Sequence, residues 1–196
     1  MRLQRSRGLA LAVAWGCGPA VVKAPDDSGG QGPPVETGEG EGEGEGEGDT
    51  SAAPLLYVNE VMADNQATVA DETGAYPDWI ELYNPGASAV DLEGWTITDT
   101  LDEPGRHTLG AVSVAAGGHQ LLWADGHADL GALHLGFSLD EDGEAVGLFD
   151  AAGGPVDGLR FGEQSSDISL ARQPDAGQTW ALDTTPTPGE DNGGGS

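Results

Sequence analysis

Residues 78–86 read Asp78-Trp79-Ile80-Glu81-Leu82-Tyr83-Asn84-Pro85-Gly86. Trp79 to Tyr83 form a short apolar run rich in β-favouring side chains. Asn84-Pro85-Gly86 then supplies turn chemistry: Pro arrives with φ already set, and Gly follows with a permissive backbone. The stretch therefore reads as a strand entering a turn. The same alternation recurs on both sides of it. Strands are expected at Leu55–Met62, Trp79–Tyr83, Trp95–Thr98, His119–Trp123, Leu133–Phe137, Ala145–Phe149, Val156–Phe161, Ile168–Arg172 and Thr179–Leu182. Between them lie Ala116-Gly117-Gly118, Asp142-Gly143, Asp150 to Gly154 and Pro174 to Gly177. No segment sustains a 3.6-residue period. Short, near-regular strands with Gly-rich turns point to a β-sandwich or barrel. Trp79, Trp95 and Trp123 each sit in an apolar run, so they read as core anchors rather than a sugar-stacking face.

The chain has 196 residues and a formal net charge of -27, from 7 Lys+Arg against 34 Asp+Glu. That balance excludes a nucleic-acid binder, which needs cations to neutralise phosphates. A single Cys excludes an intramolecular disulfide framework and a Cys-rich zinc site. No apolar run reaches the roughly 18 residues of a transmembrane helix.

The charge falls into three zones. Residues 1–17 carry Arg2, Arg5 and Arg7 with no acid, then an apolar Gly8–Trp15, then Cys17. This is the layout of a secretory signal. It resembles a bacterial lipobox, although Ala14-Trp15-Gly16 departs from the usual residues before the Cys. The resemblance implies lipidation of Cys17, with Gly18 favouring the outer membrane or cell surface; a secreted or periplasmic location is the alternative. Residues 18–54 hold nine acids against Lys23 and five Glu-Gly pairs from Glu39 to Gly48. Such a segment buries too little apolar surface to offset its ordering entropy, and is expected to be a disordered tether. A flexible chain of this length spans about 30–35 Å. Residues 55–192 are the expected folded domain, and 193–196 a flexible tail.

Within the domain a family resemblance can be read. Leu56-Tyr57-Val58-Asn59-Glu60-Val61-Met62-Ala63-Asp64-Asn65 is similar to the opening strand of lamin tail domains, and 78–85 to their second strand. Val90-Asp91-Leu92-Glu93-Gly94-Trp95-Thr96-Ile97-Thr98-Asp99 resembles a third element. Ala115 to Gly118 with Leu121 to Asp125, Gly143 to Asp150, and Thr185-Pro186-Thr187-Pro188-Gly189 with Asn192 resemble three more, in the same order. The resemblance implies an all-β, immunoglobulin-like sandwich of about nine short strands, of the secreted bacterial branch. The family as such is not an enzyme.

The residues themselves supply little chemistry. There is no G-x-S-x-G and no H-E-x-x-H element. Asp125, His127, Asp129 and His134 fit no standard zinc spacing, so 126–134 reads as a surface loop with histidines. Two carboxylate groupings remain as candidate calcium ligands. One is Asp140, Asp142 and Glu144; its alignment to a calcium loop puts Phe149 where the closing Glu belongs, so a solvated turn is the simpler reading. The other is Glu60, Asp64, Asp78 and Glu81, on or beside the first two strands, where Glu60 and Glu81 are expected on one face. No other cofactor is expected. The sequence thus points to a non-catalytic cell-envelope lipoprotein presenting an interaction module to a separate protein or matrix partner, its only membrane contact the lipid anchor and with no role for nucleic acid. A calcium-dependent adhesion module is the alternative.

Overall fold

The structure is a computed structural model, and it describes residues 55–193. The leader, Cys17 and the 18–54 tether lie outside the described residues. The domain is all β, with eleven strands: β1 Tyr57–Met62, β2 Asp78–Tyr83, β3 Val90–Asp91, β4 Thr96–Thr98, β5 His107–Thr108, β6 Ser113–Val114, β7 His119–Ala124, β8 Ala145–Phe149, β9 Pro155–Arg160, β10 Ser169–Arg172 and β11 Trp180–Asp183. They form a five-stranded sheet in the order β11-β10-β1-β2-β7, a four-stranded sheet β5-β4-β8-β9, and a small β3-β6 ribbon. Every strand pair is antiparallel.

Period two explains the packing. Ile80 and Leu82 of β2, Leu122 of β7 and Leu170 of β10 point from one sheet, and Ile97, Val146, Leu148 and Leu159 from the other, into one core. Each is at most 4% exposed, and full burial of such a side chain is worth roughly 1.5–3 kcal/mol. Strand β1 needs a correction to that period. Its register with β2 runs Val58↔Leu82 and then Glu60↔Glu81, leaving Asn59 as an extra residue. This bulge lets both Val58 and Val61 enter the core although three positions separate them. Trp95 joins the core. Trp79 and Trp123, paired across β2 and β7, pack instead with Met62 on the opposite face of the five-stranded sheet.

One end of the core holds a charged plug. Arg172 is 2% exposed. Its Nη2 donates to both oxygens of Asp157 at 2.9 and 2.8 Å, and its Nε donates to the Val58 carbonyl at 2.8 Å. The guanidinium also lies 4.6 Å from the Trp180 ring centroid. A buried arginine survives only with this degree of pairing. It ties β10 to β9 of the facing sheet.

Two expectations are corrected here. Leu133–Phe137 is not a strand: His134 makes one isolated bridge, to Trp123 of β7, and Ser138 just beyond the segment makes another, to Asp125. The segment's alternation is real, since Leu135 and Phe137 are buried in the core. The amide of Gly136, however, donates to the His107 ring at 3.1 Å instead of to a neighbouring strand. The two-residue strands β3, β5 and β6 were not expected, because two residues cannot display a period.

Candidate functional site

The outer face of the five-stranded sheet carries a buried polar centre. Glu60 and Glu81 are register partners across β1 and β2, and neither is exposed. The bulged Asn59 sits beside them. Its amide nitrogen donates to Glu81 Oε1 at 3.2 Å and to Asp175 Oδ1 at 2.8 Å. Its carbonyl-type oxygen accepts from the Ala176 amide at 3.1 Å. Ser169 donates to Glu60, and the Gly189 amide donates to Glu81 Oε2 at 2.6 Å. Residues 187–192 thus cover the pair: Thr187 Oγ1 reaches both Glu60 and Asn192, and Asn192 donates to the Asn59 backbone carbonyl at 3.1 Å.

Burial pushes the Glu81 carboxyl up to about 8, against the pull of Gly189 and Asn59, with Glu60 and Asp175 adding like charge. Burial also raises Glu60, against donors from Ser169 and Thr187. At neutral pH Glu81 therefore holds a proton, and the pair avoids two adjacent buried charges. Next to it, His119 of β7 stacks on Tyr83 with centroids 4.6 Å apart. Its side chain is 6% exposed, and its Nε2 lies 3.7 Å from Asp175 Oδ1 and 4.0 Å from Glu81 Oε1.

A second acidic site lies beyond Met62. An open groove of about 570 Å³ is lined by Asp64, Asp78, Asp140, Glu141 and Glu144, with Ser138 and Gln66. Burial pushes Asp78 up to about 6, with Asp64 and Glu141 adding to the rise, and Glu144 up to about 7, with Asp99 and Asp140 adding. The turn beneath Glu144 is fixed by Gly143. Its φ is +107°, and a Cβ there would meet the Gly162 backbone at 2.6 Å. The structure therefore redistributes the two sequence groupings. Asp64 and Asp78 join Asp140 and Glu144 in the groove, while Glu60 and Glu81 go to the buried centre. Asp142 stays exposed in the turn, its amide donating to Asp140 Oδ1 at 3.0 Å.

The sequence matches the family described as Lamin Tail Domain over residues 49–163. The chain belongs to that family. No curated protein matches it. In this lamin tail domain the acidic groove lies inside the matched span. The buried centre does not close within it: Ser169, Asp175 and 187–192 all follow Glu163.

One histidine of this lamin tail domain is misplaced by the surface-loop reading. His134 is 1% exposed, and its ring nitrogens lie 2.7 Å from Asp125 Oδ2 and 2.9 Å from Glu72 Oε1. Burial alone would lower it, but the two carboxylates win and raise it above its ordinary value. Its backbone bridges Trp123 of β7, which sets the ring between Asp125 and Glu72. His127 and Asp129 are exposed, as expected. No motif or spacing signalled that His119, Asp175 and Asn192 join Glu81. They come from separate elements: β2–β7 pairing sets His119 beside Glu81, while Asn59 gathers Asp175 and Asn192.

Proposed function

We propose that this lamin tail domain is a non-catalytic interaction module, carried by an exported lipoprotein and held away from the cell surface by an acidic tether. The observation supporting a non-catalytic role is the burial of Glu60 and Glu81. Among the described residues they are the one carboxylate pair aligned as register partners on neighbouring strands, and a carboxyl acting as acid or base must reach its substrate. Here both are closed beneath 187–192 and committed to internal donors. What the domain offers a partner is its acidic surface. Residues 55–196 hold 25 acids against Arg106, Arg160 and Arg172. A surface of that sign disfavours nucleic acid and anionic lipid, and suits a basic protein or matrix partner.

Export and anchoring rest on the order of Arg2–Arg7, Gly8–Trp15 and Cys17. Mass spectrometry of the N-terminus from membrane fractions is expected to find acylated Cys17, and protease shaving of intact cells to release the 55–192 domain. An uncleaved Met1 overturns the lipoprotein reading. Resistance to shaving with an acylated Cys17 puts the protein on the periplasmic side.

Calcium-dependent adhesion is the second reading, favoured by the convergence of Asp64, Asp78, Asp140, Glu141 and Glu144 on one groove. Calcium takes six to eight oxygens, and extracellular modules bind it at roughly 10⁻⁴–10⁻³ M. A rise in melting temperature over that range, lost in Asp78→Asn, is the expected result for this reading. No shift at about ten times that concentration eliminates it.

A further inference from the structure

His119 has no hydrogen-bond partner for Nε2, although that atom is buried. A buried polar atom left unpaired costs roughly 1–3 kcal/mol. Its surroundings are not apolar. Asp175 Oδ1 and Glu81 Oε1, at 3.7 and 4.0 Å, are beyond hydrogen-bond reach but close enough to share a common neighbour with it. The carboxylate of Asp191 completes the set, with ligand atoms of His119, Asp175 and Asp191 all within 4.8 Å of one another. An imidazole nitrogen and two carboxylate oxygens are therefore gathered at a spacing that a single ion could bridge.

We propose that His119, Asp175 and Asp191 form a binding site for a divalent transition ion of the zinc class. The imidazole argues for that class over calcium, which takes oxygen ligands, whereas imidazole suits zinc, copper, nickel and iron. One such ion balances the charges of the two aspartates and uses the unpaired Nε2. Ligand atoms about 2.0–2.1 Å from a tetrahedral zinc lie roughly 3.3 Å apart. His119 and Asp175 need only a small closure to reach that spacing, and the exposed Asp191 is free to swing in.

Two of the ligands are already oriented. Tyr83 stacks on the His119 ring. Asp175 Oδ1 accepts from Asn59 at 2.8 Å and from the Asn192 amide at 3.0 Å. Supporting contacts of this kind orient the ligands, and their loss typically costs roughly 10–100-fold in metal affinity. Three protein ligands leave a fourth position for water or for a side chain from a partner. The alternative histidine cluster, His134 with Asp71 and Asp125, lacks this vacancy of partners, since both its ring nitrogens already meet carboxylates. A metal at His119 would join β7, the 174–177 turn and the 187–192 segment.

The test is zinc binding by the untagged full chain after chelator treatment, followed by calorimetry and by the visible absorption of a cobalt substitute. One equivalent of zinc is expected to bind and raise the melting temperature, with calcium failing to compete. Asp191→Asn leaves the fold intact because Asp191 is exposed. It and His119→Gln are each expected to weaken zinc by at least the roughly 10–100-fold that loss of a supporting residue costs. Failure of wild-type protein to bind zinc at about a thousand times the concentration of a typical structural site overturns the proposal. So does binding that both variants retain unchanged, which would place the ion elsewhere, for example at His134. Neither result bears on the proposed export or on the calcium titration of the groove.

Discussion

On its inner face the five-stranded sheet presents Val58, Val61, Ile80, Leu82, Leu122 and Leu170 to the facing sheet. On its outer face the same strands present Asn59, Glu60, Glu81 and His119 to residues 187–192. Both faces are buried, but by different means. The inner face is held by apolar area, which has no direction and tolerates changes of shape. Around Glu60 and Glu81, away from the Met62, Trp79 and Trp123 cluster, the outer face is held by donors matched to acceptors, where loss of one atom strands another. The lesson is that burial alone does not say what a residue contributes. The partner lost on substitution does.

The largest effect should come where a charge interrupts the apolar face. Arg172→Ala leaves Asp157 buried without its partner and is expected to cost about 3–5 kcal/mol, read from the denaturant midpoint. A loss below about 1 kcal/mol would mean that water replaces the guanidinium, and that the inner face is less dry than its exposures imply. Next is Asn59→Ala, which withdraws a donor shared by Glu81 and Asp175 and an acceptor from Ala176. An expected cost of about 1–3 kcal/mol sets it above Ile80→Val on the inner face, at about 0.5–1.5 kcal/mol. If the order of those two reverses, the contrast between the faces is wrong.

The smallest effect at neutral pH, and the sharpest in sign, is Glu81→Gln. Glu81 is already protonated there, and the amide oxygen of Gln still accepts from Gly189, so what is lost is the longer Asn59 contact, at the low end of roughly 0.5–1.5 kcal/mol. The pH profile should change more. Glu81, Glu144 and Asp78 have folded values of about 8, 7 and 6, above their ordinary ones. A raised value means the folded state binds the proton more tightly, so their stabilisation is full at low pH and fades as pH rises through those values. His134, also raised, acts in the same sense; His107, lowered by burial, opposes it. Melting temperature is therefore expected to fall from about pH 5 to about pH 9, with Glu81→Gln flattening the upper part and Glu144→Gln the middle. A wild-type profile that rises over this interval would show that the buried carboxyls ionise freely.

Much of this was legible in the order of residues, and for identifiable reasons. Trp79 to Tyr83 alternates cleanly and ends in Asn84-Pro85-Gly86, so β2 and its turn could be placed. That Glu60 and Glu81 share a face followed from two adjacent antiparallel strands, and the register makes them direct partners. The alternation of Leu133, Leu135 and Phe137 reported burial correctly but could not report pairing, which depends on what lies alongside. His134 was misread because its partners, Glu72 and Asp125, are recruited by tertiary packing. The assembly of His119 with Asp175 and Asp191 was hidden for the same reason. The acidic groove was half legible: Asp64, Asp78, Asp140 and Glu144 were singled out and Glu141 was not, and their grouping depended on how the 138–144 turn folds back beside Asp64 and Asp78.

Asn59 has a consequence for how the sheet could fail. A strand is a periodic lattice, and an inserted residue is a dislocation in it. Slipping β1 by one place against β2 would bring Glu60 or Met62 into the core on one side of the defect. Sliding the defect along the strand would expel Val58 or Val61. Neither movement preserves both halves at once, so the dislocation is pinned. The strand at the middle of the five-stranded sheet therefore has one phase available to it, and the two glutamates opposite each other cannot drift apart without the fold coming undone.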